Sequence, residues 1–296
     1  MNSFRLLCGS FRWYLAVAII AAWAWPVCAR DDAHFRFVQI SDTHWGSMDS
    51  LAVTRAFVEE INALPLRIEF VVHTGDILSD NIDRESIVAE GKAIMAGLKA
   101  PVYYVPGNHD FSPRITNAVE LYTRHFGPVN HRADRFGVRC IFWGSAYGKG
   151  LAAAGGVDAF TWLERELKEA GRRPVLIFQH APAVEDFYNN TLHDGWADDA
   201  YRRWVRLLKD ADVRAVVTGH FHRDELHWIG DVPVYVTTPV VRYFDRQPSY
   251  RIYEYRNGRL AYTTQYREVR KNKGTAPGKS DPAVDAPQPA TKRGSE

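Results

Sequence analysis

From Phe35 onward, the chain alternates short apolar runs with longer amphipathic stretches. Runs rich in β-branched and aromatic residues predict buried strands, and apolar residues spaced three and four apart predict helices. The predicted strands are residues 35–40, 68–72, 102–105, 138–143, 175–178 and 215–217. The predicted helices are residues 51–64, 84–99, 117–126, 160–170 and 199–209. Such alternation is typical of an α/β fold in which helices cover a sheet.

The pattern changes after His222, where strand-like segments follow one another without helices. These segments are residues 225–229, 232–238, 250–255 and 260–266. The pair Asn257-Gly258 between the last two predicts a hairpin. In residues 270–296, Lys, Pro, Ala, Gly and Ser dominate and apolar residues nearly vanish, which predicts a disordered tail.

The first 29 residues have the layout of a secretory signal peptide. Arg5 and Arg12 precede or flank an apolar stretch at 13–25, and small residues occupy the cleavage positions at 27–29. A retained anchor is disfavoured, because 13 apolar residues fall short of the roughly 20 that cross a bilayer. Lipid attachment at Cys28 is also disfavoured, because Val27 stands where such sites have a smaller residue. We therefore expect a secreted or periplasmic protein with no stable membrane span after cleavage.

Composition and charge narrow the function classes. The 296 residues are 46% hydrophobic, enough for one sizeable core, and we expect a single domain at 30–269. Removing the two arginines of the signal peptide changes the formal charge from +2 to 2 − 2 = 0. A neutral protein offers no electrostatic reason to expect a nucleic-acid polymer as partner. Only Cys140 would remain, so no internal disulfide is expected, and the oligomeric state stays open.

Polar residues of metal-binding type follow five of the predicted strands. The clusters are Asp42-Thr43-His44, Gly75-Asp76, Gly107-Asn108-His109-Asp110, His180 and Gly219-His220-Phe221-His222. In an open α/β sheet, the loops at the carboxyl ends of the strands converge on one edge, so these residues can meet there. Singly, each would be read as a turn or capping residue. Together they favour a metal centre, and mixed imidazole and carboxylate donors suit Zn, Mn or Fe.

The order, spacing and strand context of these clusters resemble the calcineurin-like metallophosphoesterase family over residues 35–225. The resemblance implies a four-layer α/β/β/α sandwich with two mixed sheets, in which the all-strand C-terminal section completes the second sheet. It also implies two divalent or mixed-valence transition-metal ions, Mn, Fe or Zn. The first would be bound by Asp42, His44, Asp76 and His222. The second would be bound by Asp76, Asn108, His180 and His220, so that Asp76 bridges the pair.

Within the family, the Asp-x-His, Gly-Asn-His-Asp and Gly-His-x-His blocks are similar to those of bacterial cyclic-nucleotide phosphodiesterases. No tyrosine follows soon after Asp76, unlike in purple acid phosphatases. No arginine directly follows Asp110, unlike in the protein Ser/Thr phosphatases. Both of those branches are therefore disfavoured.

The implied activity is hydrolysis of a small phosphodiester or phosphomonoester. Two divalent ions carry +4, and Asp42 and Asp76 offset two of these charges, which leaves about +2 for a hydroxide and a phosphate group. The resemblance assigns His109 as the general acid that protonates the leaving group. Asp110, next in the chain, is expected to orient the loop as a supporting or capping residue. Two alternatives remain open: a broad-specificity periplasmic phosphomonoesterase and a non-catalytic, metal-containing binding module.

Other polar residues near these clusters carry weaker expectations. His73 is expected to be a hydrogen-bonded packing residue, whereas the sequence does not place Asp80 and Asn81 relative to the site. The loop at 181–198, with Tyr188 and Trp196, is either a substrate-selecting segment or a solvated connector.

Overall fold

The computed structural model describes residues 33–145, 158–186, 191–192, 198–243 and 246–267. The expected signal peptide at 1–29 and tail at 270–296 lie outside the described residues. Both segments, and the domain bounds at 30–269, stay predictions.

Thirteen strands and five helices are present among the described residues. The strands are β1 (His34–Ile40), β2 (Phe70–His73), β3 (Val102–Tyr104), β4 (Asn130–Arg135), β5 (Val138–Trp143), β6 (Val175–Phe178), β7 (Glu185–Asp186), β8 (Thr191–Leu192), β9 (Val213–Thr218), β10 (Glu225–Ile229), β11 (Val232–Val236), β12 (Ser249–Arg256) and β13 (Arg259–Tyr266). The helices are α1 (Ser50–Ala63), α2 (Glu85–Met95), α3 (Ala118–Phe126), α4 (Ala159–Ala170) and α5 (Asp198–Asp210).

The strands form two mixed sheets and one short two-stranded ribbon. The first sheet has the order β13-β12-β1-β2-β3, and the second has the order β10-β11-β9-β6-β5-β4. In the first sheet, β1, β2 and β3 are parallel, and β12 and β13 add antiparallel pairs on one side. In the second sheet, the parallel strands β11, β9, β6 and β5 lie between the antiparallel edge strands β10 and β4. The predicted α/β sandwich with two mixed sheets is confirmed.

Period-two alternation along the central strands explains the layers. On β1, Phe35 and Phe37 enter the core between the sheets, whereas Val38 and Ile40 pack with α1, α2 and α3. On β5, Cys140 and Phe142 face the same inter-sheet core, whereas Ile141 and Trp143 pack with α4 and α5. Because both faces of these strands are covered, the chain builds three buried cores in a four-layer arrangement.

Strand β4 was missed by the sequence pattern because its residues, Asn-His-Arg-Ala-Asp-Arg, are mostly polar. It is the edge strand of the second sheet and pairs with β5 across Phe136-Gly137, where both residues have positive φ. Two consecutive positive-φ residues match the right-handed twist of a hairpin. The turn and the hydrophobic partner strand therefore form this element, without an apolar face of its own.

The expectation that the C-terminal section completes the second sheet was only half right. Strands β10 and β11 join that sheet, but β12 and β13 return to the first sheet, where β12 pairs with β1. Tyr253 and Tyr255 of β12 stack in the inter-sheet core on Phe37 and Phe35, respectively. The hairpin predicted at Asn257-Gly258 is confirmed.

Helix boundaries agree with the sequence pattern to within a few residues. Helix α4 begins at a side-chain cap, because Asp158 accepts a hydrogen bond from the Thr161 amide at 2.8 Å. Leu163, Leu167 and Ala170 form its buried face. Within the described residues, no helix has both the length and the apolar character needed to cross a bilayer.

Candidate metal centre

Backbone hydrogen bonds bring the predicted clusters together at the carboxyl ends of the parallel strands. The amides of Asp42 and His44, after β1, donate to the carbonyls of Gly75 and Asp76, after β2, at 2.9 and 3.0 Å. In the second sheet, the Gly219 amide donates to the His180 carbonyl at 3.0 Å. Backbone hydrogen bonds alone thus hold each of these loops against its neighbour in the same sheet.

Several of the predicted site residues have backbone conformations that side chains rarely adopt. Positive φ angles, between 43° and 69°, occur at Asp42, His44, Asp76, His220 and His222. The left-handed conformation costs a non-glycine residue of the order of 1–3 kcal/mol, so it persists only where the surroundings enforce it. The strain lies directly after β1, β2 and β9, where ligand-type side chains come together.

The side chains form two groups that share Asp76. Asp42, His44, Asp76 and His222 offer ligand atoms that all lie within 4.8 Å of one another. Asp76, His180 and His220 satisfy the same limit. Across the sheets, His222 Nε2 lies 3.1 Å from Asp42 Oδ1, and His180 Nε2 lies 3.1 Å from Asp76 Oδ2. The donor atoms of six of the seven predicted ligands therefore converge on adjoining positions.

Asn108, the seventh, lies on the loop beside Asp76. The amide of the next residue, His109, donates to Asp76 Oδ1 at 2.9 Å. The Asn108 Oδ1 atom is buried and has no hydrogen-bond partner among the described residues. A buried carbonyl oxygen without a partner costs free energy, and a cation would satisfy it.

The remaining donors also fit transition metals. Both ring nitrogens of buried His44 lack a hydrogen-bond partner among the described residues. His180 instead donates its Nδ1–H to the Thr74 carbonyl at 2.8 Å, which leaves Nε2 facing Asp76. Fixing one ring nitrogen in this way orients the other as a metal ligand. Imidazole and carboxylate donors together suit Zn, Mn or Fe, so the residues fit the divalent transition-metal ions that the sequence led us to expect.

The electrostatics of the centre favour positive charge. Burial by itself favours the neutral form of Asp76, but attraction by His180 holds the pKa of this carboxyl well below its usual range. Burial likewise lowers the pKa of the His180 imidazole, but Asp76 and Asp42 overcome that effect and raise the pKa to about 9. Without metal, the centre therefore holds the ionised carboxylates of Asp42 and Asp76 and the protonated imidazole of His180. A bound cation would displace the proton of that imidazole.

His109, the predicted general acid, lies at the open side of the centre. Its Nδ1 atom is 2.9 Å from Asp80 Oδ2, and its ring is 5.1 Å from the ring of His44. Burial lowers the pKa of His109, but the bond to Asp80 and the charge of Asp76 raise it to about 9. One third of the His109 side chain is exposed, so the ring can reach a bound molecule. The sequence did not place Asp80, whose partnership with His109 is a finding of the structure.

Asp110 orients the loop as expected. Its carboxylate accepts the amides of Gly107 at 2.8 Å, Leu78 at 2.9 Å and Ile77 at 3.3 Å, which joins the loops after β2 and β3. Gly107 permits the close approach, because a Cβ at this position would lie 2.1 Å from Asp76 Oδ1. His73 is buried and bonds Thr43 Oγ1 at 2.8 Å, so its predicted packing role is confirmed.

Tyr243 was missed by the sequence pattern, although its ring borders the centre. The ring stacks on His222 at 5.8 Å and meets His44 edge-on at 4.6 Å. No ligand-like motif surrounds Tyr243 in the sequence, so only the fold reveals its position. Tyr188 and Trp196 of the loop at 181–198 lie outside the described residues.

Comparisons with known proteins agree with this geometry. The family model described as calcineurin-like phosphoesterase matches residues 35–224. The chain is 31% identical over 201 residues to the glycerophosphodiester phosphodiesterase GpdQ of Enterobacter lignolyticus, covering 64% of this chain and 68% of that protein. It is 27% identical over 225 residues to the 3',5'-cyclic adenosine monophosphate phosphodiesterase CpdA of Escherichia coli, covering 67% and 74%. A solved dimetal phosphatase from Danio rerio shares the fold, with a TM-score of 0.54 and 17% identity over 78% of this chain and 98% of that one.

The protonated His180 predicts that metal uptake releases protons. Near neutral pH, an imidazole with a pKa of about 9 must lose its proton before Nε2 can bind a cation. We expect about one proton from this residue per centre filled, decreasing as pH rises through 9. Calorimetric titration of metal-free protein with Zn²⁺, in buffers of different ionisation enthalpy, measures the number.

His180→Asn should bind less Zn²⁺ and release fewer protons. His131→Asn provides the control, because the His131 ring stacks on Phe142 and bonds the Pro128 carbonyl, which are outside the ligand set, so both quantities should stay unchanged. Unaltered proton release in His180→Asn would contradict the assignment.

Proposed function

The chain belongs to the calcineurin-like phosphoesterase family, hydrolases of phosphoester bonds, and on this premise we propose that its substrates are small phosphodiesters. The observation that carries the proposal is the pair of ligand groups sharing Asp76, with the His109–Asp80 pair beside it. Two relatives named for phosphodiesterase activity, on glycerophosphodiesters and on cyclic adenosine monophosphate, support the substrate class.

In this proposal, two transition-metal ions occupy the centre. Asp42, His44, Asp76 and His222 would hold one, and Asp76, Asn108, His180 and His220 would hold the other. Bound there, the ions would supply positive charge and a nucleophile at neutral pH. Mn, Fe and Zn are the candidates that this donor set favours.

Charge balance favours a diester over a monoester. Two divalent ions and two carboxylates leave a net charge of about +2 at the centre. A hydroxide and a singly charged diester neutralise this charge, whereas a doubly charged monoester leaves an excess of −1. Uncompensated charge is costly in a site as buried as that of Asp42 and Asp76, so the diester is the better fit.

His109 would donate a proton to the leaving oxygen. Its Nδ1 atom is engaged by Asp80, so Nε2 is the nitrogen that can face the substrate. Asp80 would hold the ring in orientation and favour its protonated form. A protonated donor is what an alkoxide leaving group requires.

We also propose that the protein is exported and loses residues 1–29. The support is the sequence of that segment alone. Intact-mass measurement of the secreted or periplasmic protein should give a chain that begins at Arg30. A mature chain that begins at Met1 would contradict this proposal.

The substrate class is tested by comparing bis-p-nitrophenyl phosphate with p-nitrophenyl phosphate. Metal-depleted protein is reconstituted with Mn²⁺, Fe²⁺ or Zn²⁺, and the specificity constants are measured for both compounds. We expect a preference for the diester and loss of activity on chelation. Preference for the monoester would identify a phosphomonoesterase instead, and silence with every metal would identify a binding module.

The role of His109 predicts a leaving-group dependence. His109→Gln should lower kcat roughly 10²- to 10⁴-fold for a diester with an alkoxide leaving group, while metal content stays unchanged. The loss should be much smaller for a nitrophenolate, which leaves without a proton. His131→Gln is the matched control, since the His131 ring stacks on Phe142 and bonds the Pro128 carbonyl, outside the ligand set. Equal losses for both leaving groups would remove His109 as the acid.

Asp80→Asn tests the role of His109 through the pH dependence of the rate. An acid loses its function as pH rises through its pKa, and bound cations lower the pKa of His109 below the value of about 9 that Asp80 and Asp76 maintain without metal. The alkaline limb of the rate profile should therefore fall below pH 9, and it should move to still lower pH in Asp80→Asn.

A further inference from the structure

A buried arginine lies in β12, on the opposite sheet from the three histidines after β6 and β9. The Arg251 side chain has no exposed surface. Its Nη2 atom donates to Asp224 Oδ1 at 2.5 Å and its Nη1 atom donates to the Tyr253 hydroxyl at 3.1 Å, with the guanidinium 4.2 Å from the Tyr262 ring centre. A fully buried charge is costly even when it is paired, so its stabilising value alone does not account for it.

The first partner, Asp224, belongs to the loop that carries the ligand histidines. It lies two residues after His222 and accepts the Thr264 hydroxyl at 2.6 Å and the Tyr266 hydroxyl at 3.1 Å, both from β13. Arg251 completes this set from β12. The loop that follows β9 in the second sheet is thereby tied to the edge hairpin of the first sheet.

The second partner, Tyr253, connects Arg251 to buried residues next to the ligand loops. The Tyr253 hydroxyl donates to Gln39 Oε1 at 3.1 Å. Gln39 is buried, and its Nε2 atom donates to Thr74 Oγ1 at 2.8 Å and to the Thr218 carbonyl at 2.9 Å. Arg251 is therefore joined, through two side chains, to the segments just before Asp76 and His220.

The contacts of Arg251 through Asp224 and through Tyr253 both end at ligand loops, and these loops belong to both sheets. The Thr74 carbonyl accepts His180 Nδ1–H at 2.8 Å, and Thr218 precedes His220 by two residues. One side chain thus contacts, directly or through hydrogen bonds, the elements that place all three histidines of the second sheet. Displacing these histidines relative to Asp42 and Asp76 would separate the two halves of the centre.

We propose that Arg251 is a positioning residue that sets the placement of His180, His220 and His222 against the carboxylates of the first sheet, an inference that rests on the proposed metal-binding function. The residue lies outside the family match at 35–224, and the sequence pattern identified its segment only as a strand. The competing explanation is a structural ion pair with no bearing on the centre.

Arg139 offers a matched control for that explanation. Its side chain is 2% exposed, and it donates to Asp134 at 2.9 and 3.0 Å and to the Glu166 carbonyl at 3.0 Å. It lies on β5 opposite Val175, the first residue of β6, and therefore at the end of the sheet away from the ligand loops. Its burial and pairing resemble those of Arg251, but its hydrogen bonds go to Asp134 and Glu166, neither of which belongs to a ligand loop.

The first experiment compares Arg251→Met with Arg139→Met in the full-length protein. Both should lower the unfolding temperature. Only Arg251→Met should weaken Co²⁺ binding, by about tenfold or more as for other residues that orient ligands, and alter the visible absorption of bound Co²⁺. Arg251→Lys, which keeps the charge but not the two-armed geometry, should recover part of the affinity.

Tyr253→Phe tests the same network without removing a buried charge. It deletes only the hydroxyl that joins Arg251 to Gln39, so it should fold even where Arg251→Met does not. Tyr235→Phe is its control, because the Tyr235 hydroxyl donates only to the Leu260 carbonyl, at 3.0 Å. We expect a severalfold weaker Co²⁺ affinity in Tyr253→Phe than in Tyr235→Phe.

The outcomes separate this inference from the proposed function. If the parent protein binds no Co²⁺, the proposed metal centre fails. If the parent binds Co²⁺ and both Arg251→Met and Tyr253→Phe match their controls in affinity and spectrum, the positioning role is overturned. Where Arg251→Met does not fold, the comparison of the two tyrosine variants decides.

Discussion

The burial of two carboxylates at the ends of neighbouring strands constrains everything around them. Asp42 and Asp76 are almost completely buried, and an ionised carboxylate in that environment must be compensated by donors or cations. Imidazoles at 3.1 Å compensate both, and both imidazoles come from the opposite sheet. Five of the seven candidate ligands also have strained, positive φ angles, and such strain persists only where the surrounding structure enforces it.

The two sheets contribute unequal chemistry to the centre. The first sheet supplies every oxygen donor, from Asp42, Asp76 and Asn108, whereas the second supplies only imidazoles. The centre therefore exists only while the sheets pack in one register. Interleaved aromatic rings fix that register: Phe37 stacks on Phe70 at 4.9 Å and meets Phe178 of the facing sheet edge-on at 5.4 Å. Cations bound across this interface would stabilise the sandwich by mass action.

The sequence predicts those features of the fold and the site that depend on the local residue pattern, and misses those that depend on tertiary packing. Buried parallel strands appear in the sequence as continuous apolar runs. The polar residues that follow these runs identified the seven candidate ligands. Strand β4 carried no such signal, because an edge strand depends on its turn and its partner. Asp80 and Tyr243 were equally hidden, since each reaches the centre through a loop whose path only tertiary packing determines. The return of β12 to the first sheet is a long-range pairing that local pattern does not encode.

The C-terminal section supplies residues that support or border the centre, whereas the ligands come from the preceding part of the chain. All seven candidate ligands and His109 lie within residues 35–224, which match the family model, and the chemistry of phosphoester cleavage belongs to that part. Tyr243, Arg251 and Tyr253 lie beyond it, yet one borders the centre and two belong to the hydrogen-bond network beneath it. Residues that border a site can vary without changing its reaction, whereas residues that orient the ligands are constrained together with them. Differences in substrate among related proteins are therefore to be sought at bordering residues such as Tyr243, because the ligands and the residues that orient them leave little freedom to vary.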